Sequence, residues 1–153
     1  MSQTTLTQHA TTSRRATLSA LWAGLTLTVV ATVHPFVDQA TTRYLARHVG
    51  ASYPGYGAEQ VGTAVSAYLA ILTVGGVLGA VTWLVVLWAA RTGRTWAPWV
   101  ATVAFVAAVC WAAAALTVTD TSGDVGLAPV LGWSQALPCA AGAVAVALLW
   151  RRR

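Results

Sequence analysis

Residues 60–90 read QVGTAVSAYLAILTVGGVLGAVTWLVVLWAA, a stretch without one charged residue, closed by Glu59 on one side and Arg91 on the other. A helix that crosses a bilayer needs about 20 predominantly apolar residues, and this run exceeds that length. A lone segment in hydrocarbon must satisfy its backbone polar groups internally, which a helix does and an unpaired strand does not. The strict alternation of a membrane β-strand is absent. The stretch is therefore predicted to be a transmembrane helix.

Working outward, three more charge-free windows have the same character. They lie between Arg15 and Asp38, between Arg94 and Asp120, and between Asp124 and Arg151. The predicted spans are about 16–37, 61–90, 96–119 and 127–150, within a single transmembrane domain over 14–153. An outer loop occupies 38–60, and a polar, Thr-rich, mobile tail is expected over 1–13. Composition supports this reading. The chain has 153 residues, of which 57% are hydrophobic and 8% charged, against about 25% charged in an average soluble domain. That balance excludes a water-soluble enzyme, a disordered regulator and a disulfide-stapled secreted domain. The fold class is all-α, an integral membrane four-helix bundle running up-down-up-down.

All nine basic residues are Arg, and the net charge is +5. They fall beside apolar segments, which points to a membrane and not to nucleic acid. Four spans put Arg14, Arg15, Arg91, Arg94, Arg151, Arg152 and Arg153 on one side as topology anchors. The other side holds Arg43, Arg47 and all four acids, Asp38, Glu59, Asp120 and Asp124. The positive-inside rule then gives cytoplasmic N- and C-termini in the cell inner (plasma) membrane. Trp88, Trp96, Trp99 and Trp150 gather at the inner ends of spans, and all four tyrosines fall in the outer half, as interface belts do. The segment Ser13-Arg14-Arg15-Ala16-Thr17-Leu18 resembles a twin-arginine export signal, with Thr17 where that pattern wants a bulky apolar residue. The simpler role for both arginines is to anchor the first span.

Small residues recur every four positions: Ala16, Ala20, Gly24, Thr28 and Thr32 on the first span, Gly75 and Gly79 on the second, Ala104, Ala108 and Ala112 on the third. Such ridges let helices approach closely in lipid. They predict packing within the bundle, and the Gly75/Gly79 face is the candidate surface for a homo-oligomer or another membrane protein. Short connections predict that spans two and three, and three and four, are antiparallel neighbours. Pro35 and Pro138 lie inside spans and free the carbonyls of Ala31 and Ser134. Pro98 and Pro129 suit first helical turns.

No ionisable residue lies near mid-span, which argues against a proton-coupled pump. Length and span number invite comparison with small multidrug transporters, but their membrane glutamate has no counterpart. Two candidate sites remain. His34, Asp38, His48 and Glu59 stand at the outer end and form a potential metal set. The segment 41–49 is amphipathic and suits a short interfacial helix. His34, Tyr68, Trp111 and Gln135, with Thr117 and Ser134, are candidate ligand-binding residues for a lipid or small apolar molecule. Asp120-Thr121-Ser122-Gly123-Asp124 is expected to be a polar turn, because most ligands of a calcium loop are missing. Cys110 and Cys139 are expected as apolar filler. The expected function is a non-enzymatic accessory or structural membrane component without a cofactor, whose partners are membrane lipids and other membrane helices. The alternative is an outer-face small-molecule, lipid or metal binding module.

Overall fold

The computed structural model describes residues 3–152, with side chains described from Arg14 onward. The expected tail over 1–13 and the anchor Arg153 therefore lie, in whole or for their side chains, outside the described residues. Five helices follow one another: α1 (Gln3–Ala40), α2 (Tyr44–Ser52), α3 (Ala58–Arg91), α4 (Ala97–Thr117) and α5 (Pro129–Trp150). Four of them are long and apolar enough to cross a membrane, over Arg14–Ala40, Ala58–Arg91, Ala97–Thr117 and Pro129–Trp150. The architecture is the expected four-helix bundle, compatible with a membrane protein.

The outside of the bundle is apolar. Val30, Val74, Leu78, Val103 and Trp133 are each at least half exposed, as a lipid-facing surface requires. The helix ends follow local chemistry. Pro98 and Pro129 sit in first turns, where a missing N–H costs nothing. The α3 C-terminus closes in a Schellman turn: Gly93 takes φ +68° and the Arg94 N–H donates to the Ala89 carbonyl at 2.9 Å. Gly is the residue that accepts this left-handed conformation without strain.

The spatial order of the long helices is α3, α1, α5, α4. α4 packs closely on α5 as expected. The expectation that α3 and α4 are tight neighbours needs correction: the 92–96 turn joins them, yet they touch sparingly along their length. A short connection sets antiparallel direction but does not supply side chains to fill a seam.

Two core clusters result. One lies under α2, around Leu45, Val49, Val65, Leu72, Leu127 and Leu131. The other lies toward the arginine-rich end, around Leu21, Val86, Leu87, Ala101, Ala145 and Leu149. At 34 residues α3 is about 51 Å long at 1.5 Å per residue. That exceeds the roughly 30 Å of a hydrocarbon core, and its N-terminal turns serve as the platform on which α2 packs.

Candidate functional site: an apolar cleft between α3 and α4

The small-residue ridge of α1 forms the seam with α3. The Trp83 ring occupies the space a side chain on Gly24 would need, the Thr32 side chain occupies that of Gly76, and Thr28 Cγ2 lies 3.2 Å from a Cβ placed on Gly79. Trp83 Nε1–H donates to Thr28 Oγ1 at 2.9 Å, and Thr28 Oγ1–H donates to the Gly24 carbonyl at 2.9 Å. The Gly75/Gly79 pair, the surface that the sequence offers to a second copy, has neighbours within the chain. The Trp111 ring of α4 sits on Gly75, 2.5 Å from where a Cβ would stand, and Gly79 receives Thr28. Both glycines are used inside the chain.

Toward α4 the packing of α3 stays open. A cavity of about 270 Å³ lies among the four long helices, lined by Thr28 and Thr32 of α1, Gly75 and Gly79 of α3, Ala104, Ala108 and Trp111 of α4, and Gln135 and Cys139 of α5. Leu78, 63% exposed, and the exposed Ala107 also line it, so it opens sideways between α3 and α4. Its wall combines the small residues Gly75, Gly79, Ala104 and Ala108 with the rings of Trp83, Phe105 and Trp111.

Most polar groups on the wall are already committed. Thr28 and Thr32 donate to carbonyls of their own helix, Thr82 donates to the Leu78 carbonyl, and Trp83 donates to Thr28. Gln135 Nε2 reaches across to the Ala31 carbonyl at 3.4 Å. That carbonyl is the one Pro35 frees, four residues on, so a side chain on α5 satisfies a break in α1. The cavity wall is therefore mainly apolar.

Of the four residues expected to bind a ligand, Trp111 and Gln135 line the cleft. Tyr68 does not: its hydroxyl abuts Gly126 in the 118–128 connection. His34 is half-buried one turn before Asp38 and is not on the cleft wall either. Sequence reasoning did not single out Trp83 or Phe105, whose ring lies 3.0 Å from where a Cβ on Gly142 would stand. The four-residue spacing of small residues was the available signal, but it does not say which large side chain each one receives.

The other predicted set divides. Asp38 is buried and spends both carboxylate oxygens on α2: Oδ1 accepts from the Tyr44 N–H at 2.9 Å, Oδ2 from the Leu45 N–H at 3.0 Å, and the Thr42 hydroxyl also donates to it. A carboxylate suits the unsatisfied N–H groups at a helix N-terminus. His48 Nε2 lies 2.8 Å from the Val125 carbonyl oxygen. Glu59 is exposed at the start of α3. Among the described residues no group of three or more His, Cys, Asp and Glu is arranged to hold a metal ion. The expected amphipathic segment is present as α2, with Leu45 and Val49 buried and Arg43 and Arg47 exposed.

Asp120–Asp124 forms the expected polar turn. Thr119 and Val125 pair across it, Gly123 takes φ +90°, and the Ser122 N–H and hydroxyl donate to Asp120 Oδ1. The Ser122 hydroxyl bond is the main cause that holds the Asp120 carboxyl below its ordinary pKa. Tyr53 and Thr121 join through their hydroxyls at 2.8 Å, so α2 and this turn form one cap.

At the opposite end the anchors meet one another. Arg14 Nη2 donates to the Arg91 carbonyl at 3.4 Å, and the Arg91 and Arg94 guanidinium carbons lie over the Trp22 and Trp88 rings, each 5.5 Å from the centroid. Trp99 and Trp150 meet edge to face at 4.9 Å. Arg15, Arg151 and Arg152 are exposed. Both cysteines are free, but Cys110 faces outward and only Cys139 lies on the cleft wall, so the expectation of two buried fillers holds for neither in full.

The fold and the cleft define an all-helical chain with four membrane-length apolar helices. No family model, no curated protein and no solved structure matches it.

Proposed function

We propose that this chain is a non-enzymatic multi-pass membrane protein that binds the hydrocarbon chain of a lipid between α3 and α4. The observation that carries the reading is the sideways-opening, apolar cavity of about 270 Å³. Its size supports a chain-like ligand. A buried apolar void of about 150 Å³ holds benzene, whereas drug-sized sites run about 300–1,000 Å³. A helix of a partner protein needs far more room. The mainly apolar lining, with the Thr28 and Thr82 hydroxyls donating to their own helices, supports hydrocarbon over an ion or a polar solute. The segregation of arginines supports cytoplasmic termini in a cell membrane.

The reading of an accessory component that associates through small-residue ridges receives less support, because the α1 ridge and the Gly75/Gly79 pair are spent within the bundle. The test is lipid extraction from protein purified in mild detergent. Wild type is expected to retain a stoichiometric lipid. Ala108→Phe, which projects a ring into the cleft, is expected to lose it. Equal lipid retention by the two proteins would overturn the reading.

A further inference from the structure

We propose that the cleft takes an uncharged single-chain lipid with a hydroxyl head, a long-chain alcohol, whose hydroxyl lies between Trp111 Nε1–H and Gln135 Oε1. This rests on the lipid-binding reading above and names the ligand class of the same site.

Contacts between helices fix the level of these two groups. Across α4 and α5, Gly132 meets Leu116 and Gly142 meets Phe105. That antiparallel register sets Gln135 within one or two residues of the level of Trp111, about 3 Å at most. Trp111 in turn sits on Gly75 of α3, and Gln135 reaches Ala31 of α1. On α3, α4 and α5 the lining residues nearest the cap are Gly75, Trp111 and Gln135. All four long helices therefore meet at this end of the cavity. Trp111 and Gln135 each stand about 9 Å inside the cap-side end of their helix, Thr117 and Pro129 respectively. That depth is below the interfacial belt where Trp is usually found.

One donor and one acceptor are left over at this level. The hydroxyls of Thr28, Thr32 and Thr82 and the Trp83 indole donate within the chain. The Ala31 carbonyl only accepts, so the Gln135 amide turns Nε2 to it and keeps Oε1 as an acceptor. Among the described residues neither Gln135 Oε1 nor Trp111 Nε1–H has a hydrogen-bond partner, and Oε1 is not sealed away from contact. An unpaired donor and acceptor in hydrocarbon are costly. A single hydroxyl answers both, since its oxygen accepts from the indole and its hydrogen goes to the amide oxygen.

The rest of the cavity specifies the rest of the ligand. No charged residue and no His lines it, so an ionised head would lie unpaired. Its far end is closed by Leu21, Val86, Ala101 and Ala145, all buried and apolar. From Gly75 to Val86 the lining runs about 16 Å along α3, room for a tail below the head. The volume of about 270 Å³ is less than twice the roughly 150 Å³ that holds benzene, which suits one chain and not two.

The test titrates lipid-depleted, full-length protein in detergent micelles with dodecanol, dodecyl methyl ether, dodecane and dodecanoate. Affinities are compared as mole fractions within the micelle and read from the indole N–H resonances of Trp83 and Trp111, each assigned by its loss on substitution with Phe. Dodecanol can use both groups, the ether can only accept from the indole, and dodecane can use neither. Dodecanol is expected to bind one per chain and to move the Trp111 indole proton downfield. Gln135→Leu should weaken dodecanol about threefold or more and spare the ether, and Trp111→Phe, read at Trp83, should weaken both by a similar factor and spare dodecane. Ala108→Phe should abolish binding of all three, and Ala104→Leu provides a milder occluding variant if the ring lowers the yield of folded protein.

Affinities for dodecanol that neither Gln135→Leu nor Trp111→Phe changes, yet that are lost on occlusion, overturn the hydroxyl assignment while the cleft reading stands. Dodecanol binding undiminished by either occluding variant overturns both. Dodecanoate bound more tightly than dodecanol at neutral pH overturns the uncharged head.

Discussion

Helix α3 makes two seams from similar material and they come out differently. Toward α1 its Gly76 and Gly79 meet Thr32 and Thr28, and the Trp83 ring covers Gly24. Toward α4 its Gly75 and Gly79 face Ala104 and Ala108, and one side chain, Trp111, reaches across. The first seam sets small against large and closes. The second, where Gly75, Gly79, Ala104 and Ala108 lie on the wall, leaves a cleft of about 270 Å³. A ridge of small residues permits close approach, but contact forms only when the facing helix supplies matching volume.

The largest expected effect comes from breaking the closed seam. Gly76→Leu places its side chain where Thr32 already lies, and overpacking of this kind costs about 1–3 kcal/mol or more. A denaturant titration in mixed micelles should show the loss. An unchanged midpoint would mean that the α1/α3 seam is not close-packed. The open seam should respond with the opposite sign. Ala104→Leu fills empty space, and in lipid-depleted protein it should raise stability by about 1 kcal/mol, since cavity volume costs roughly 24 cal/mol per Å³. Destabilisation there would show that the cleft is already filled by its own walls.

Smaller changes sharpen the comparison. Thr28→Val deletes the hydroxyl that joins Trp83 Nε1 to the Gly24 carbonyl. It should cost about 0.6–1.7 kcal/mol, the range for interhelical hydrogen bonds in membranes. Gln135→Leu removes the donor to the Ala31 carbonyl and should cost a similar or smaller amount, with faster amide exchange around Pro35 as its local sign.

The smallest effect is a control remote from both seams. The Asp120 carboxyl titrates below its ordinary range because Ser122 donates to its charged form. A lowered folded value means that its contribution is present at neutral pH and is lost as pH falls through that value. Acidification below about pH 4 should therefore raise hydrogen exchange in 118–126, while the seams keep their protection. Equal loosening of the α1/α3 seam would show that cap and bundle open together.

How much of this was legible follows the same division. The four spans, the placement of Pro35, Pro98, Pro129 and Pro138 within them, and the clustering of arginines could be read from residue order. The amphipathic 41–49 segment could be read as well, and it overlaps α2 from Tyr44 onward. The role of Asp38 could not: a carboxylate before a short helix serves equally as ligand, ion-pair partner or cap, and only the path of 39–44 brings the Tyr44 and Leu45 N–H groups to it. His48 and Glu59 shared its residue types but not its surroundings. Trp111 and Gln135 were found by depth along their spans, and depth alone also suggested Tyr68, which turns to the cap.

The sequence by itself determined that the chain is a bundle of four apolar helices with its acids at one end and seven arginines at the other. Hydropathy, helix length and charge placement act locally, and each can be counted along the chain. Only the tertiary structure decided that α3 packs on α1 and α4 on α5 while α3 and α4 touch sparingly, and that a gap stays open between them. That outcome depends on the rotation of each helix about its own axis, which sets whether a glycine meets a tryptophan, a threonine or another small residue.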